Sequence, residues 1–352
     1  MEVKGPVFIG TGGEITSQEY IGMKNRIIVP DMKKMMVSLC RLELQDEYEK
    51  FVLQGNKKND LKSWLTEKNI TIETMEKWKK YELELGALDL NKQSRPKISE
   101  FIKDGYGLPF VPGTSLKGML RTILLGYNIQ KNPNLYADFK KKNKDSVYKY
   151  EKYYLNAKTE KLENMTFRRL EKKGENDVEI DAMSGLIVSD SNPLSLKDLV
   201  ICNKWDYSIE KGKSIGVYRE CLKPGTKIQF TITIDKEIFR YSIEEIKEAI
   251  EAFANTSYDN FIQYFGKCAR PKKNTVWLGG GAGFLSKTVI YPMYGRDGVK
   301  ITQTIFKNTK VPKKHKHIKD TDWDVSPHCL KMTKYKNKEY CFGECLIEIR
   351  ET

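Results

Sequence analysis

The sequence predicts an α+β fold with antiparallel sheets, and three features of the chain support that class. Short β-branched segments, among them 186–190 and 201–209, are separated by turn residues. Amphipathic helical patterns are interspersed among these segments but do not alternate strictly with them, as they would in a parallel α/β fold. Residues 329–349 have the pattern of a hairpin that turns at Asn337 and Lys338.

The first hundred residues combine one strand with a helical block. Val3 to Ile9 is predicted as a strand, and Asp31 as the N-cap of a helix through Arg41. Apolar residues at helical spacing then predict three more helices, at 47–53, 60–68 and 71–85, the last two capped by Asp60 and Thr71. Residues from about 42 to 104 therefore look like a helical insertion.

The remainder of the chain contains several strands and two prominent helices. The first helix is predicted from an N-cap at Ser115 to about Tyr127, and the second from Ser242 to Phe265. The strands are expected at 186–190, 201–209, 215–222, 227–235 and 275–278. Because strand patterns give way to the long helix near Asp235, we divide the chain there into 1–235 and 236–352.

Composition narrows the class of protein. The 352 residues include 61 Lys plus Arg against 47 Asp plus Glu, a formal net charge of +14, which favours a polyanionic partner. No apolar run approaches the length of a membrane span, and the first residues lack a signal-peptide core. Seven Cys at low density do not suggest a disulfide framework. We therefore expect a soluble, cytoplasmic protein that does not bind membranes and needs no cofactor.

The excess positive charge is concentrated in one C-terminal stretch. Residues 41–104 contain thirteen basic and thirteen acidic side chains, whereas residues 267–338 contain seventeen basic and four acidic ones. A third region, 131–175, has thirteen against seven and is interpreted as a solvated face. In the C-terminal stretch, glycines and aromatic residues lie among the cations. That combination is typical of surfaces that bind nucleic-acid phosphates and bases.

A glycine-rich loop at 279–283 is the first candidate site. Gly279, Gly280, Gly281 and Gly283 allow close approach of a ligand and positive φ angles, and Lys287 adds a charge. The pattern lacks the third glycine of a dinucleotide-binding fingerprint. With Arg270, Lys272 and Lys273 on one side and Lys287 on the other, we favour phosphate contact over a tight turn without a ligand.

The second candidate is the segment 111–121, Val-Pro-Gly-Thr-Ser-Leu-Lys-Gly-Met-Leu-Arg. Lys117 and Arg121 are four residues apart and share one face near the predicted helix start at Ser115. Such a helix start suits a phosphate. An ordinary capped helix with a solvated face explains the pattern equally well.

Three other candidate sites are rejected, two on motif spacing and one because local structure explains its residues. Gly212-Lys213-Ser214 lacks the earlier glycine of a phosphate-binding loop, because position 207 is Tyr. A metal site from His328 with Cys329, Cys341 and Cys345, or from His315 and His317, has no standard zinc spacing, so buried structural cysteines and a basic surface are favoured. Asp31 and Asp190 fall at element ends, where capping or turn chemistry explains them. We expect no catalytic residue and no metal ligand.

Several segments, in order, resemble a known family. The 111–121 segment resembles the signature of the RAMP proteins of CRISPR–Cas systems, and 279–283 resembles their glycine-rich loop. The opening segment 5–12 is similar to their first strand and loop, with Phe8 where many members have His. Residues 283–288, 315–317 and 325–333 narrow the resemblance to the fifth Csm subunit of type III-A effector complexes.

The resemblance implies two RRM-like (ferredoxin-like) RAMP domains, the first with insertions at about 42–104 and 131–175, the second degenerate. It implies a non-catalytic, crRNA-binding subunit that caps the backbone filament near the 3′ portion of the crRNA and supports crRNA maturation and antiviral defence. Its partners would be crRNA, the backbone RAMP subunit, the small helical subunit and recruited host nucleases. The catalytic Asp of the backbone subunit would correspond to Asp31, whose predicted capping role argues against transferring that activity.

The RNA-binding residues expected on this basis are Gly279, Gly280, Gly281, Gly283, Lys287, Ser115, Lys117, Arg121, Arg270, Lys272 and Lys273, extended by the basic loop at 313–319. Two alternatives remain open. One is a metal-independent endoribonuclease of the RAMP class that processes crRNA, which would need a general base such as one of the three His at 315–328. The other is an assembly protein that touches RNA only through its neighbours.

Overall fold

The computed structural model describes residues 1–55, 59–86, 88, 90, 96–146, 154–173, 176–209, 212–309, 311–312, 315 and 317–351. Its strands are β1 Glu2–Val3, β2 Gly10–Ile15, β3 Ile21–Gly22, β4 Arg26–Pro30, β5 Lys79–Glu84, β6 Ile98–Phe101, β7 Arg168–Lys173, β8 Asn176–Asp181, β9 Leu186–Val188, β10 Leu199–Ser208, β11 Gly212–Leu222, β12 Ile232–Ile234, β13 Thr275–Trp277, β14 Cys329–Tyr335, β15 Lys338–Cys341 and β16 Glu344–Leu346. Its α-helices are α1 Met32–Arg41, α2 Gln45–Leu53, α3 Leu61–Glu67, α4 Ile72–Lys77, α5 Gly113–Lys131, α6 Ala137–Ser146, α7 Tyr154–Phe167, α8 Ile243–Asn260, α9 Ile290–Tyr294 and α10 Gly298–Asn308.

A nine-stranded mixed sheet forms the centre of the molecule. Seven of its strands follow the order β2-β6-β11-β10-β5-β4-β3, and β14 and β15 branch from β10. Antiparallel pairs dominate, with parallel pairing only between β10 and β5 and between β11 and β6 within the described residues. The mixed α+β class predicted from the sequence is therefore confirmed.

A second sheet joins the two ends of the described chain. It has the order β1-β16-β13, with Glu2 opposite Leu346 and Val276 opposite Cys345. The large sheet is shared in the same way, because Trp205 of β10 pairs with Met332 of β14. Strands from both sides of residue 235 thus complete common sheets, and buried side chains from both sides form one hydrophobic core.

The two longest helices pack against each other. Gly126 of α5 lies against Phe253 of α8, and a side-chain hydrogen bond of 2.8 Å joins Gln130 Nε2 to Thr256 Oγ1. A larger residue at position 126 would be in tight contact with the Phe253 ring. Each predicted half of the chain therefore contributes its longest helix to a common interface.

A buried carboxylate, Glu220, connects three strands of the large sheet. Its side chain is fully buried and accepts hydrogen bonds from Tyr81 Oη (2.7 Å), the Phe101 backbone N–H (2.9 Å) and Lys103 Nζ (2.5 Å). Lys103 is itself only 14% exposed and lies 5.1 Å from the centre of the Tyr81 ring. Burial, followed by the charge of Glu220, raises the pKa of Tyr81 far above its usual value.

The N-caps predicted from the sequence are confirmed where the capping side chain and the N–H groups that it accepts from are two or three residues apart. Asp31 accepts hydrogen bonds from the N–H groups of Lys33 and Lys34 at the start of α1, and Asp60, Thr71 and Ser242 cap α3, α4 and α8. Asp190 is also a cap, because its Oδ1 accepts a 2.8 Å hydrogen bond from Gly113 N at the start of α5.

Several predicted elements and boundaries were wrong, among them the strand expected at 227–235, which forms only as β12. The helix expected at 71–85 ends at Lys77, and β5 follows, because Tyr81 and Leu83 alternate with exposed residues and pair with β4. The strand expected at 3–9 divides into β1 and a bridge at Val7, and the glycines at 10–13 continue into β2. Ser115 is not an N-cap: α5 begins at Gly113, after Pro112.

One disulfide links Cys268 and Cys341. Cys341 is therefore not the unbonded structural cysteine that the sequence suggested, whereas Cys345 is buried and unbonded. Burial raises the pKa of the Cys345 thiol well above its usual range. Among the described residues, none of the helices has the length and apolar character needed to cross a bilayer.

Candidate nucleic-acid interface

The glycine-rich loop lies against the first strand region and the last hairpin. Gly279 has a φ of +89°, and a Cβ there would overlap the backbone carbonyl of Phe8. A Cβ at Gly281 would overlap the Phe342 ring. The Gly280 N–H donates a 2.8 Å hydrogen bond to the Phe8 carbonyl. Internal packing thus accounts for the glycines at 279 and 281, whatever ligand the loop binds.

Arg219 and Lys331 lie beside this loop, and Lys204 lies close enough to both to be repelled by them. We call Lys204, Arg219 and Lys331 the cation cluster. The Arg219 guanidinium lies 4.6 Å from the centre of the Phe8 ring, and its Nη1 donates to the Gly280 carbonyl at 3.4 Å. Lys331 lies under Gly283 and binds Asp206 Oδ1 at 2.7 Å. The cluster therefore combines side chains from β10, β11 and β14.

The charges of the cluster are only partly compensated. The pKa of Lys204 is lowered, first by burial and then by repulsion from Lys331. Arg219 adds a smaller repulsion, and the nearby Asp206 opposes the shift without cancelling it. Burial also lowers the pKa of Arg219, whose Nε is buried without a hydrogen-bond acceptor in the described structure. Lys204 forms neither a hydrogen bond nor an ion pair with any described residue. An anion beside Lys204 would relieve this repulsion, because opposite charges favour the protonated amine.

The two cations near the start of α5, Lys117 and Arg121, differ in whether a carboxylate already neutralises their charge. Lys117 is half-buried. Arg121 instead binds Glu163 at 2.9 Å and Asp181 at 3.0 Å, and its guanidinium lies 4.9 Å from the centre of the Phe167 ring. The helix end itself already receives the Asp190 carboxylate at Gly113. Of the two cations, Lys117 is the one whose charge is not engaged by another described residue.

The first half of α5 lies alongside the segment that follows the glycine loop. Met119 and Thr122 line a small cavity together with Trp277 and Ser286, so residues far apart in the chain are adjacent in space. Lys287 follows Ser286 and is exposed. The fold therefore brings both sequence-predicted segments, 115–121 and 279–287, to the same region of the molecule.

Three further residues predicted to bind RNA, Arg270, Lys272 and Lys273, precede β13, whereas the glycine loop follows that strand. Arg270 forms an ion pair with Asp259 at 2.6 Å and lies over the Tyr258 ring, and exposed Lys273 lies 3.5 Å from Glu251. Lys272 is exposed. Three strand residues separate these cations from the loop by about 10 Å. In the predicted basic loop, positions 313, 314 and 316 lie outside the described residues.

Sequence reasoning missed the cation cluster because none of its members stands in a motif. Lys204 and Arg219 lie in strands that the sequence did predict, but only the pairing of β10 with β11 brings these two cations close together. The available signal was a charged residue within a strand that begins with four buried residues, Leu199 to Cys202. A cation in such a strand needs either a partner or a ligand.

Comparison with known proteins identifies the class of protein that has this fold. A family model described as the RAMP superfamily matches residues 1–286, and the chain belongs to that superfamily. Within it, the chain belongs to the Csm5 family: the CRISPR system Cms protein Csm5 of Streptococcus thermophilus is 30% identical over 88% of this chain and 86% of that protein. The corresponding protein of Mycobacterium tuberculosis (strain ATCC 25618 / H37Rv) is 29% identical over 98% of this chain and 95% of that protein.

Two solved structures share the fold over nearly the whole chain. The crystal structure of T. onnurineus Csm5 has a TM-score of 0.66 at 17% identity and covers 98% of this chain and 99% of that one. A chain in a cryo-EM structure of a Csm-crRNA-target RNA ternary complex of a type III-A CRISPR-Cas system has a TM-score of 0.70 at 20% identity, covering 99% and 98%.

Proposed function

We propose that this chain is a non-catalytic, crRNA-binding subunit of a type III-A Csm complex. Its membership of the Csm5 family supports a place in such a complex, since one structurally similar chain belongs to a Csm-crRNA-target RNA assembly. The observation that carries the RNA-binding role is the cation cluster beside the glycine loop. Lys204 is partly buried, repelled by two other cations and has no anionic partner of its own among the described side chains.

A phosphate of the crRNA backbone would lie beside Lys204 and the glycine loop. The N–H groups of Gly279 and Gly281 have no acceptor among the described residues, so they would be donors for the phosphate oxygens. Partial burial strengthens each charge interaction relative to bulk water. Because phosphates carry no sequence information, the chain would bind different guide sequences with similar affinity and with a strong dependence on salt.

The other predicted residues would extend this track to different degrees. Lys117 and Lys287, with Ser115, would bind the neighbouring phosphates from the α5 side. Lys272 and Lys273 are exposed and would contribute long-range attraction. Arg121 and Arg270 would contribute less, because each is already paired with carboxylates.

Membership of the Csm5 family supports a proposal for the position of this subunit in the complex. The subunit would cap the backbone filament near the 3′ portion of the crRNA, in contact with the backbone RAMP subunit and the small helical subunit, and would support maturation by recruiting host nucleases. Its two RRM-like domains would be divided near residue 235. Because β10 pairs with β14 and β1 pairs with β16 across that boundary, the two domains would share sheets and would not fold separately.

The test is binding of the purified full chain to a single strand of crRNA length across a salt series, with the RNA inspected for cleavage afterwards. We expect tight binding at low salt that weakens by about 10³-fold or more between 50 and 200 mM salt, with intact RNA. Cleavage at a defined position that survives repurification would replace the proposal with the endoribonuclease. No binding by the isolated chain, together with normal complex assembly, would favour the assembly protein.

Replacing Lys204 with methionine separates stability from RNA binding. We expect Lys204→Met to raise the free energy of unfolding by up to about 1 kcal/mol, because a repelled and partly buried charge is removed. The same variant should weaken RNA binding by about tenfold and reduce the salt slope by about one. Chemical denaturation and the salt series measure the two effects.

Lys236→Met is the matched control, because it removes the same charge from an exposed residue outside the strands β10, β11 and β14 that form the cluster. It should change neither the stability nor the affinity appreciably. If Lys204→Met and Lys236→Met weaken RNA binding equally, the effect belongs to net charge and the cluster is not the binding site. Charge reversal at Lys287 that leaves crRNA retention in the assembled complex unchanged would remove Lys287 from the interface.

A further inference from the structure

The three histidines of the chain lie close together near its C-terminal end, although the sequence places them at 315, 317 and 328. The ring centres of His317 and His328 are 4.8 Å apart, and those of His315 and His317 are 6.3 Å apart. Between His317 and His328 lies Asp320, whose side chain is fully buried. His315 and His317 belong to the basic loop predicted at 313–319, whereas Asp320 and His328 belong to none of the RNA-binding segments predicted above.

The carboxylate of Asp320 contacts both imidazoles. His317 Nδ1 is 3.0 Å from Asp320 Oδ2, and His328 Nδ1 is 2.6 Å from Asp320 Oδ1. The side chains of His317 and His328 are 17% and 10% exposed. A short 3₁₀ turn at 317–319 puts His317 and Asp320 on one side, because side chains three residues apart align in that geometry.

We propose that His317, Asp320 and His328 form a binding site for one divalent transition-metal ion of the Zn²⁺ type. One ligand atom from each residue lies within 4.8 Å of the other two. Donor atoms bound at about 2.0–2.2 Å around a tetrahedral Zn²⁺ are roughly 3.3–3.6 Å apart, so small side-chain rotations complete the site. Two imidazoles and one carboxylate are a typical donor set for this ion, with a fourth position left for water.

The surroundings of the three residues resemble the second layer of a metal site. Ser326 Oγ donates a 2.6 Å hydrogen bond to Asp320 Oδ2, which orients the carboxylate. Phe306 of α10 lies 4.4 Å from the His317 ring, and Trp323 lies 4.8 Å from the His328 ring. These apolar neighbours limit access of water, which strengthens metal–ligand bonds.

Metal binding would fasten the segment 317–328 to the body of the protein. His328 precedes β14 of the large sheet, and Phe306 belongs to α10. Tyr291 Oη, which donates to the Ser326 carbonyl at 2.6 Å, connects the cluster to α9. Binding of the ion does not depend on RNA binding.

Titration of the metal-stripped full chain with Zn²⁺, followed by calorimetry, and with Co²⁺, followed by visible absorption, tests the proposal. We expect one equivalent of Zn²⁺ to bind and Co²⁺ to give the intense absorption of a tetrahedral site. Asp320→Asn, His317→Gln and His328→Gln should each weaken binding by at least about 100-fold, and Ser326→Ala by about 10-fold.

His315→Gln is the matched control, because His315 is the one remaining histidine and is exposed. It should keep the affinity for Zn²⁺ within about threefold. Should Asp320→Asn not fold, His317→Gln on the more exposed side of the cluster carries the test. The proposal is overturned if the full chain binds no stoichiometric Zn²⁺, if the three ligand variants bind as the parent does, or if His315→Gln loses as much affinity as they do.

Discussion

Replacing Lys103 with methionine is expected to lower the free energy of unfolding by about 3–5 kcal/mol. The methionine side chain fills a similar volume but leaves the Glu220 carboxylate buried without its positive partner. The remaining donors, Tyr81 Oη and the Phe101 N–H, are neutral and do not compensate a full charge. Urea denaturation followed by circular dichroism measures the change.

Lys97→Met is the control for this experiment. Lys97 precedes β6, the strand that Lys103 follows. It pairs with Glu14 at 3.3 Å, but both of these side chains are about half exposed. Exposed pairs of this kind contribute about 0–1 kcal/mol. The double replacement Lys103→Met with Glu220→Gln should recover part of the loss, because no buried charge remains. Equal effects of Lys103→Met and Lys97→Met would show that the Glu220 pair is not a buried charge pair in solution.

Replacing Gly279 with alanine is the second change with a large expected effect. The positive φ of +89° strains any residue with a Cβ, and this Cβ would also overlap the Phe8 carbonyl that accepts from Gly280. We expect a loss of about 2–5 kcal/mol, the sum of backbone strain and overpacking. The midpoint of urea denaturation at constant slope measures it.

Gly12→Ala separates the two contributions, since Gly12 has nearly the same φ, +92°, and a Cβ added there would meet no atom within 4 Å. Its loss should be about 1–2 kcal/mol, from strain alone. A Gly279→Ala loss no larger than this would mean that the loop moves away from Phe8 at little cost. The close contact between loop and strand would then not stabilise the fold.

The sequence was informative wherever a structure is set by neighbours along the chain. Asp31, Asp60 and Ser242 cap helices through bonds to residues two or three positions away, so their roles follow from local patterns. The glycine loop was also recognisable, because four glycines in five residues are rare in any other setting. Its contacts with phosphate remain a prediction.

What could not be predicted depends on pairing between distant strands. The segment 79–84 has both helical spacing and two-residue alternation, and its pairing with β4 decides between them. Lys204 becomes a candidate phosphate-binding residue only because β14 places a second cation, Lys331, near it. His317, Asp320 and His328 lack a standard metal spacing, and the turn at 320–328 brings them together.

The central position of β16 between β1 and β13 has a consequence for synthesis on the ribosome. Glu2 and its partner Leu346 are separated by 344 positions, so β1 leaves the exit tunnel long before its neighbour exists. During that interval the strand edge is exposed to other chains, and closing so long a loop is slow. Phe342, which packs against Gly281 of the glycine loop, is likewise made only near the end of synthesis. Under the proposed function, chains that terminate before β14 would lack Lys331 of the cation cluster and would compete poorly for guide RNA.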